Sequence, residues 1–429
     1  MSETLRVRLN ADIRSTDPGA NRDANTDSVV QHMIEGLLAF REDASVGLML
    51  AEAMTVSDDG RTYTFRLREG VRFHNGAPLT SEDVAWSWRR YLTPQTRWRC
   101  LTEFDGRGTT KLTGIETPDA RTVVFQFERA SALIPAMMAR PDCGASAALH
   151  RDSVGADGAW IAPIGTGPFK FDNWSRGSAV TLSRFADYWG DDVHLERAEF
   201  RFVPDAAAAI PALLSGDIHA MSNMPAGDAL SQIQSDPRFE VVIGSTEGET
   251  ILSINNQREP FDDLRVRQAI AHAINRDEVI EAASSGLGVP IGSHFAPHHP
   301  AYVDLTDTYP HDPDRARELL AEAGHADGFS ATLRLPPPPY ARDGGQVIAS
   351  QLRQVGIELE IIPVEWAEWL SQVFTDKDFD MTIISHVEPV DIGIYSRPDY
   401  YFQYQNPEFN ALYQELTVTA DEARRNEIF

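Results

Sequence analysis

Between residues 260 and 361 helix and strand signals alternate, which limits this half of the chain to an α/β sheet with helices packed on it. Pro260-Phe-Asp-Asp263 opens a helix that places Val266, Ala269, Ile270, Ala273 and Ile274 on one face. Asn275 with Glu278 forms the N-cap pair of the next helix, and Gly286 suits its end. Asp312 caps a third, with Pro313 at its first position, Leu319, Leu320 and Ala323 as its apolar stripe and Gly324 as its stop. The four prolines at 336–339 predict an extended loop, followed by a helix over 346–355 that ends at Gly356. A strand follows over 357–361, in which Glu358 and Glu360 alternate with apolar residues.

The first half reads differently. Leu5, Val7 and Leu9 alternate with Arg6 and Arg8 as a half-buried strand, which leads into a polar loop over 10–25. Asp59-Gly60 marks a hairpin whose return strand carries Tyr63, Phe65 and Leu67 on one face. Thr80-Ser-Glu-Asp83 starts a helix in the manner of a capping box. Another strand is expected over 122–127, and Gly165-Thr-Gly-Pro-Phe169 opens a second hairpin. That pair of glycines is no phosphate loop, because no Lys-Ser/Thr follows and a strand, not a helix, comes next. An alanine-rich helix runs from Asp205 towards Gly216, with Pro211 predicting a kink or break. At 429 residues the chain exceeds one hydrophobic core, so at least two lobes are expected.

A formal net charge of −26, spread along the chain, repels nucleic acid and argues for a solvated acidic surface. Two cysteines in no CxxC arrangement give little support to a thiolate metal site. The opening residues enter a strand pattern with no leader-like apolar stretch, which leaves two expectations: a cytosolic protein, or a signal peptide replaced by an initiating Met.

Several segments together resemble the family 5 extracellular solute-binding proteins of ABC importers, the dipeptide-, oligopeptide- and nickel-type group. They are the run from Ser57 to Gly76, Leu79-Thr-Ser-Glu-Asp-Val84, Gly165-Thr-Gly-Pro-Phe169, Asp187-Tyr-Trp-Gly190, Pro260-Phe-Asp-Asp-Leu-Arg-Val-Arg-Gln-Ala269 and Ala273-Ile-Asn-Arg276. The resemblance implies an α/β, two-lobed periplasmic-binding-protein clamp of the class II, Venus flytrap kind. Residues 1–29 and 161–252 would form the core of the first lobe, 30–160 an extra hairpin-rich subdomain, and 253–429 the second lobe. The return of the chain to the first lobe is then expected to be cut short at Phe429. A periplasmic or lipid-anchored location, a permease partner and a monomer are likewise implied, and a disulfide between Cys100 and Cys143 gains support. The function implied is capture of a small polar solute, such as a short peptide or amine-bearing compound. The alternatives are an opine, an oligosaccharide or a metal chelate, or, in another class, a hydrolase or receptor domain on a similar scaffold.

In peptide-binding relatives an aspartate shortly after a Trp in the second lobe pairs with the ligand's ammonium group. Here His386 stands at the Trp position, and the acid is Glu388 or Asp391. A carboxylate in a cleft that excludes water favours a cationic amine. Tyr395, Tyr400 and Trp366 offer aromatic faces; if 400 and 401 are extended, at most one of that tyrosine pair reaches a ligand. Asn255 either bonds the ligand or satisfies hinge backbone, and Arg14 in the first polar loop could meet a ligand carboxylate. No catalytic residue, cofactor or metal site is expected: the sequence has no GxSxG, HExxH, Walker or dinucleotide motif. His294, His298 and His299 read as ordinary loop histidines.

Overall fold

The computed structural model describes residues 4–20, 24–222, 228–387, 391–419 and 421–429. The chain divides into two compact units: Met1–Pro225 with Thr417–Glu422, and Ala226–Leu416 with Ala423–Phe429. The sequence reading placed the change of lobe after residue 252. The second unit already includes the helix Asp228–Gln234 and the strand that opens at Glu249, which pairs along its whole length with Met381–His386.

In the first unit, strand β1 (Thr4–Leu9) is followed by a short antiparallel pair, β2 (Leu38–Phe40) and β3 (Val46–Leu48). Next come β4 (Ala51–Val56), β5 (Thr62–Leu67), β6 (Leu112–Asp119) and β7 (Thr122–Phe127), an antiparallel sheet in the order β4-β5-β7-β6. The helix Ser81–Tyr91 begins as its capping box predicts, the Thr80 N–H donating to the Asp83 carboxylate at 3.0 Å. Its apolar stripe brings Trp88 edge-on to Phe125 and Phe104, each with ring centroids 5.0 Å apart. Cys100 and Cys143 are bridged, their Cα atoms 5.6 Å apart. Strands β8 (Phe169–Ser175), β9 (Ala179–Arg184), β10 (Arg197–Phe202) and β11 (Ala220–Met221) join β1 in the order β11-β1-β10-β9-β8. Here β1 runs parallel to β10 and β11, while β8, β9 and β10 are antiparallel neighbours.

Two of the motif segments converge on one buried acid. Glu35 accepts hydrogen bonds from the Thr166 hydroxyl at 2.7 Å, the Tyr188 hydroxyl at 2.7 Å and the Trp189 indole N–H at 2.8 Å. Burial pushes the Glu35 carboxyl up, and these three donors act against that shift. Gly165 and Gly167 serve the same junction: a Cβ at Gly165 would lie 2.1 Å from the Met33 carbonyl oxygen, and one at Gly167 would lie 2.7 Å from that of His32. The glycines therefore let two backbones touch.

His74 lies in the same region, its Nε2 3.0 Å from the Gly167 carbonyl oxygen, and burial lowers it from 6.5 to about 4. Above pH 6.5 the imidazole is neutral in both folded and unfolded chains. Below that the unfolded chain takes up a proton that the folded chain refuses, so stability falls as pH drops from 6.5 to about 4. The loss is about 3 kcal/mol. Denaturant titrations at pH 7 and pH 4.5 on the parent and on His74→Gln check this: the parent should lose more, and equal losses would remove His74 as the cause.

The helix Ala206–Ser215 continues through Pro211 without a break. The proline forfeits one backbone bond on an exposed face, where water can take its place.

The second unit holds β12 (Glu249–Ile254), β13 (Phe329–Leu335), β14 (Ile357–Pro363) and β15 (Met381–His386) in the order β12-β15-β13-β14. β13 is parallel to both β14 and β15, and β12 is antiparallel to β15. The helices Leu264–Ala273, Arg276–Ser284 and Pro313–Glu322 form where their caps predict. One helix is longer than expected, starting at Pro339 and running to Gln354. The last proline of the run sits at the first helical position, where its missing N–H has no partner to lose. Gly345 stays inside that helix because it lies close on β13: a Cβ there would meet Leu335 Cδ1 at 2.6 Å.

Alternate residues of β15 face two separate cores. Met381 and Ile383 join Val266, Ile270, Leu320, Leu333 and Leu352, whereas Ile384 joins Trp369, Val373, Phe379, Tyr401 and Phe402. The period of two puts Thr382 and His386 on the second of these faces, together with Glu249 and Ser253 of β12.

Candidate functional site

At the carboxyl end of β15 the second core gives way to a polar cluster. Glu249 and His386 are direct cross-strand partners, so their side chains share one face. Asp391 begins the 3-10 turn Asp391–Ser396, a few residues beyond the strand. His294 arrives from the long connection between the helices Arg276–Ser284 and Pro313–Glu322. Its Nε2 lies 2.8 Å from Asp391 Oδ1 and its Nδ1 2.9 Å from Glu249 Oε1. The second contact lacks hydrogen-bond alignment, and both Glu249 oxygens are buried without a hydrogen-bond partner. His386 Nδ1 is 3.5 Å from Asp391 Oδ2, while its Nε2 is 3.1 Å from the Tyr401 hydroxyl. The Tyr395 hydroxyl sits 3.4 Å from His294 Nδ1.

The electrostatics follow from burial set against pairing. Burial alone would raise the Asp391 carboxyl, but its bonds with His294 and His386 outweigh that and hold it at about 2. Burial alone would likewise lower His294, yet Asp391 and Glu249 lift it to about 9. Glu249 is pushed up by burial, with His294 pulling the other way. Burial, then the Glu249 and Asp391 charges, raise the Tyr395 hydroxyl, which therefore stays protonated.

The structure thus brings together Asp391, His386 and Tyr395 from the sequence reading, with Tyr400 at the edge, its ring centroid 6.3 Å from that of His386. Residues 400 and 401 lie in a turn and not in an extended run. Tyr401 is the buried one, and it takes the contact with His386. Trp366 is 41% exposed and lies outside the cluster, whereas Trp369 is core and donates its indole N–H to Thr382 Oγ1 at 3.0 Å.

Asn255 stands at the opposite end of β12. Its amide donates to the Lys377 and Phe379 carbonyls, and its oxygen accepts from Gln403 and from the Gln257 backbone, which leaves it no unused donor. A cavity of about 540 Å³ opens there, but its arginine, Arg258, is already paired with Asp378 and Asp380. Arg14 belongs to the first unit, exposed, with its backbone N–H donating to Thr26 Oγ1 at 2.9 Å. Glu388 lies outside the described residues.

Reading His294 as an ordinary loop histidine is corrected: its side chain is 8% exposed and bridges two carboxylates. His298 instead pairs with Glu247 at 2.7 Å, and His299 stacks on Phe295. Sequence reasoning missed both His294 and Glu249. The available signal for Glu249 was its period-two relation to Ile251 and Ser253, which places an acid on an inward face.

No helix among the described residues is long and apolar enough to cross a membrane. The profile of the bacterial extracellular solute-binding proteins, family 5 Middle, matches residues 45–410. The chain is 30% identical over 344 residues to the dipeptide-binding protein of Escherichia coli (strain K12), an alignment covering 75% of this chain but 64% of that protein. Among solved structures, it matches the periplasmic binding protein DppA from Helicobacter pylori in complex with peptide STSA, at 25% identity and a TM-score of 0.80 over 100% of this chain and 89% of that one. It matches AgaA of A. tumefaciens R10, in complex with agropinic acid, at 28% identity and a TM-score of 0.75 over 99% and 88%. The fold is that of the two-lobed α/β periplasmic binding proteins, as the motif series implied. With its profile matched over most of its length, the chain belongs to the family 5 bacterial extracellular solute-binding proteins.

Proposed function

We propose that this protein captures a small polar solute bearing a cationic amine, a short peptide or peptide-like compound, and passes it unchanged to the permease of an ABC importer. Asp391 carries the reading: a carboxylate with a side chain 15% exposed, at the carboxyl end of a sheet strand, where α/β folds place their ligands. The relatives named for dipeptide binding, and the neighbour that holds the peptide STSA, support the same ligand class. Tyr395 and Tyr400 add aromatic faces beside the acid. The reading includes a monomer outside the cytoplasm, with no reaction performed on the solute.

Native mass spectrometry of gently purified protein should reveal a bound solute, and calorimetry should return it at one per chain. Asp391→Asn keeps the shape and removes the charge, so affinity for an amine solute should fall by about 1.5–3 kcal/mol. An unchanged affinity would take Asp391 out of the site, and a solute recovered chemically altered would overturn the transport reading.

A further inference from the structure

The Glu249 side chain is 4% exposed, and neither of its oxygens has a hydrogen-bond partner. An ionised group in that position is costly unless something positive meets it. Two imidazoles are at hand, and both lean on Asp391: His294 at 2.8 Å and His386 at 3.5 Å. Neither imidazole gives Glu249 an aligned hydrogen bond, and among the described residues no lysine or arginine pairs with Glu249 or Asp391. Glu249, His294 and Asp391 each present one ligand atom, and those atoms lie within 4.8 Å of one another. They come from three separate segments, a strand, a connection and a 3-10 turn, fixed by the packing around Ile384 and Tyr401.

We infer that Glu249, His294 and Asp391 form a binding site for a divalent first-row transition-metal ion of the Zn²⁺ class. One imidazole and two carboxylates make a donor set that such ions accept. Two carboxylates and a divalent ion also balance in charge, with His294 as a neutral ligand. His386, 3.5 Å from the second Asp391 oxygen and anchored on the Tyr401 hydroxyl, orients that carboxylate as an outer partner. This goes beyond the transport reading: an amine needs Asp391 alone, whereas the ion needs all three side chains.

The test uses the full chain, stripped with a chelator and then titrated with ZnCl₂ by calorimetry. One equivalent should bind at micromolar concentrations, and Glu249→Gln should weaken it at least about tenfold. His298→Gln, at a histidine paired elsewhere with Glu247, should leave binding unchanged. No binding, binding indifferent to Glu249→Gln, or binding lost in His298→Gln each overturns the site. Should Glu249→Gln fail to fold, X-ray absorption of the Zn²⁺-loaded parent decides: an imidazole with oxygen ligands at about 2.0–2.2 Å supports the site, and an all-oxygen shell overturns it. Solute binding measured on the stripped protein tests the transport reading separately, so either can fail alone.

Discussion

Replacing Glu35 by alanine is expected to cost the first unit about 3–5 kcal/mol, because a buried hub loses its acceptor while its donors remain. The Thr166 hydroxyl, the Tyr188 hydroxyl and the Trp189 indole N–H all point at that carboxylate from 2.7 to 2.8 Å. Thr166 is fully buried and has no water to turn to, whereas Tyr188 and Trp189 are half-buried and recover part of the loss. Removal also relieves the desolvation that raises the Glu35 carboxyl, which is why the figure stays below three full orphan penalties. Glu35→Gln keeps one acceptor oxygen and should lose less. Urea unfolding of the parent and both variants measures this, and an alanine variant within about 1 kcal/mol of the parent would show that the junction does not depend on the acid.

Removing the Cys100–Cys143 bridge should cost about 4 kcal/mol by the chain-entropy relation for two residues 43 apart. The bridge ties the segment after helix Ser81–Tyr91 to the 3-10 turn Pro141–Ser146, and Trp98 fastens the same place by donating its indole N–H to the Cys143 carbonyl at 2.9 Å. The unfolded chain gains most of the freedom released, since both cysteine positions are buried in the folded one. The double variant Cys100→Ala with Cys143→Ala, unfolded in guanidinium beside the parent, should show an earlier midpoint and a steeper slope, because the uncrosslinked unfolded chain exposes more surface. A midpoint that does not move would mean that the surrounding aromatic core alone fixes this region.

The family was legible because its motifs are local. Turn glycines, helix caps and short aromatic runs each act over a few residues, and their order along the chain carried the assignment that the profile match over 45–410 bears out. The same locality explains the helices that began where Asp263, Asn275 and Asp312 cap them. The proline run, by contrast, reads locally as an extended loop, whereas its last member opens the helix Pro339–Gln354.

The sequence by itself determined the α/β class and the two-lobed family. Only the tertiary structure decided which side chains meet. Glu249 reaches the cluster through a strand pairing with His386, and His294 through a contact 97 residues distant from Asp391. Charges so far apart in sequence influence one another only after packing has removed the water between them, and a chain read in one dimension holds no record of that exclusion.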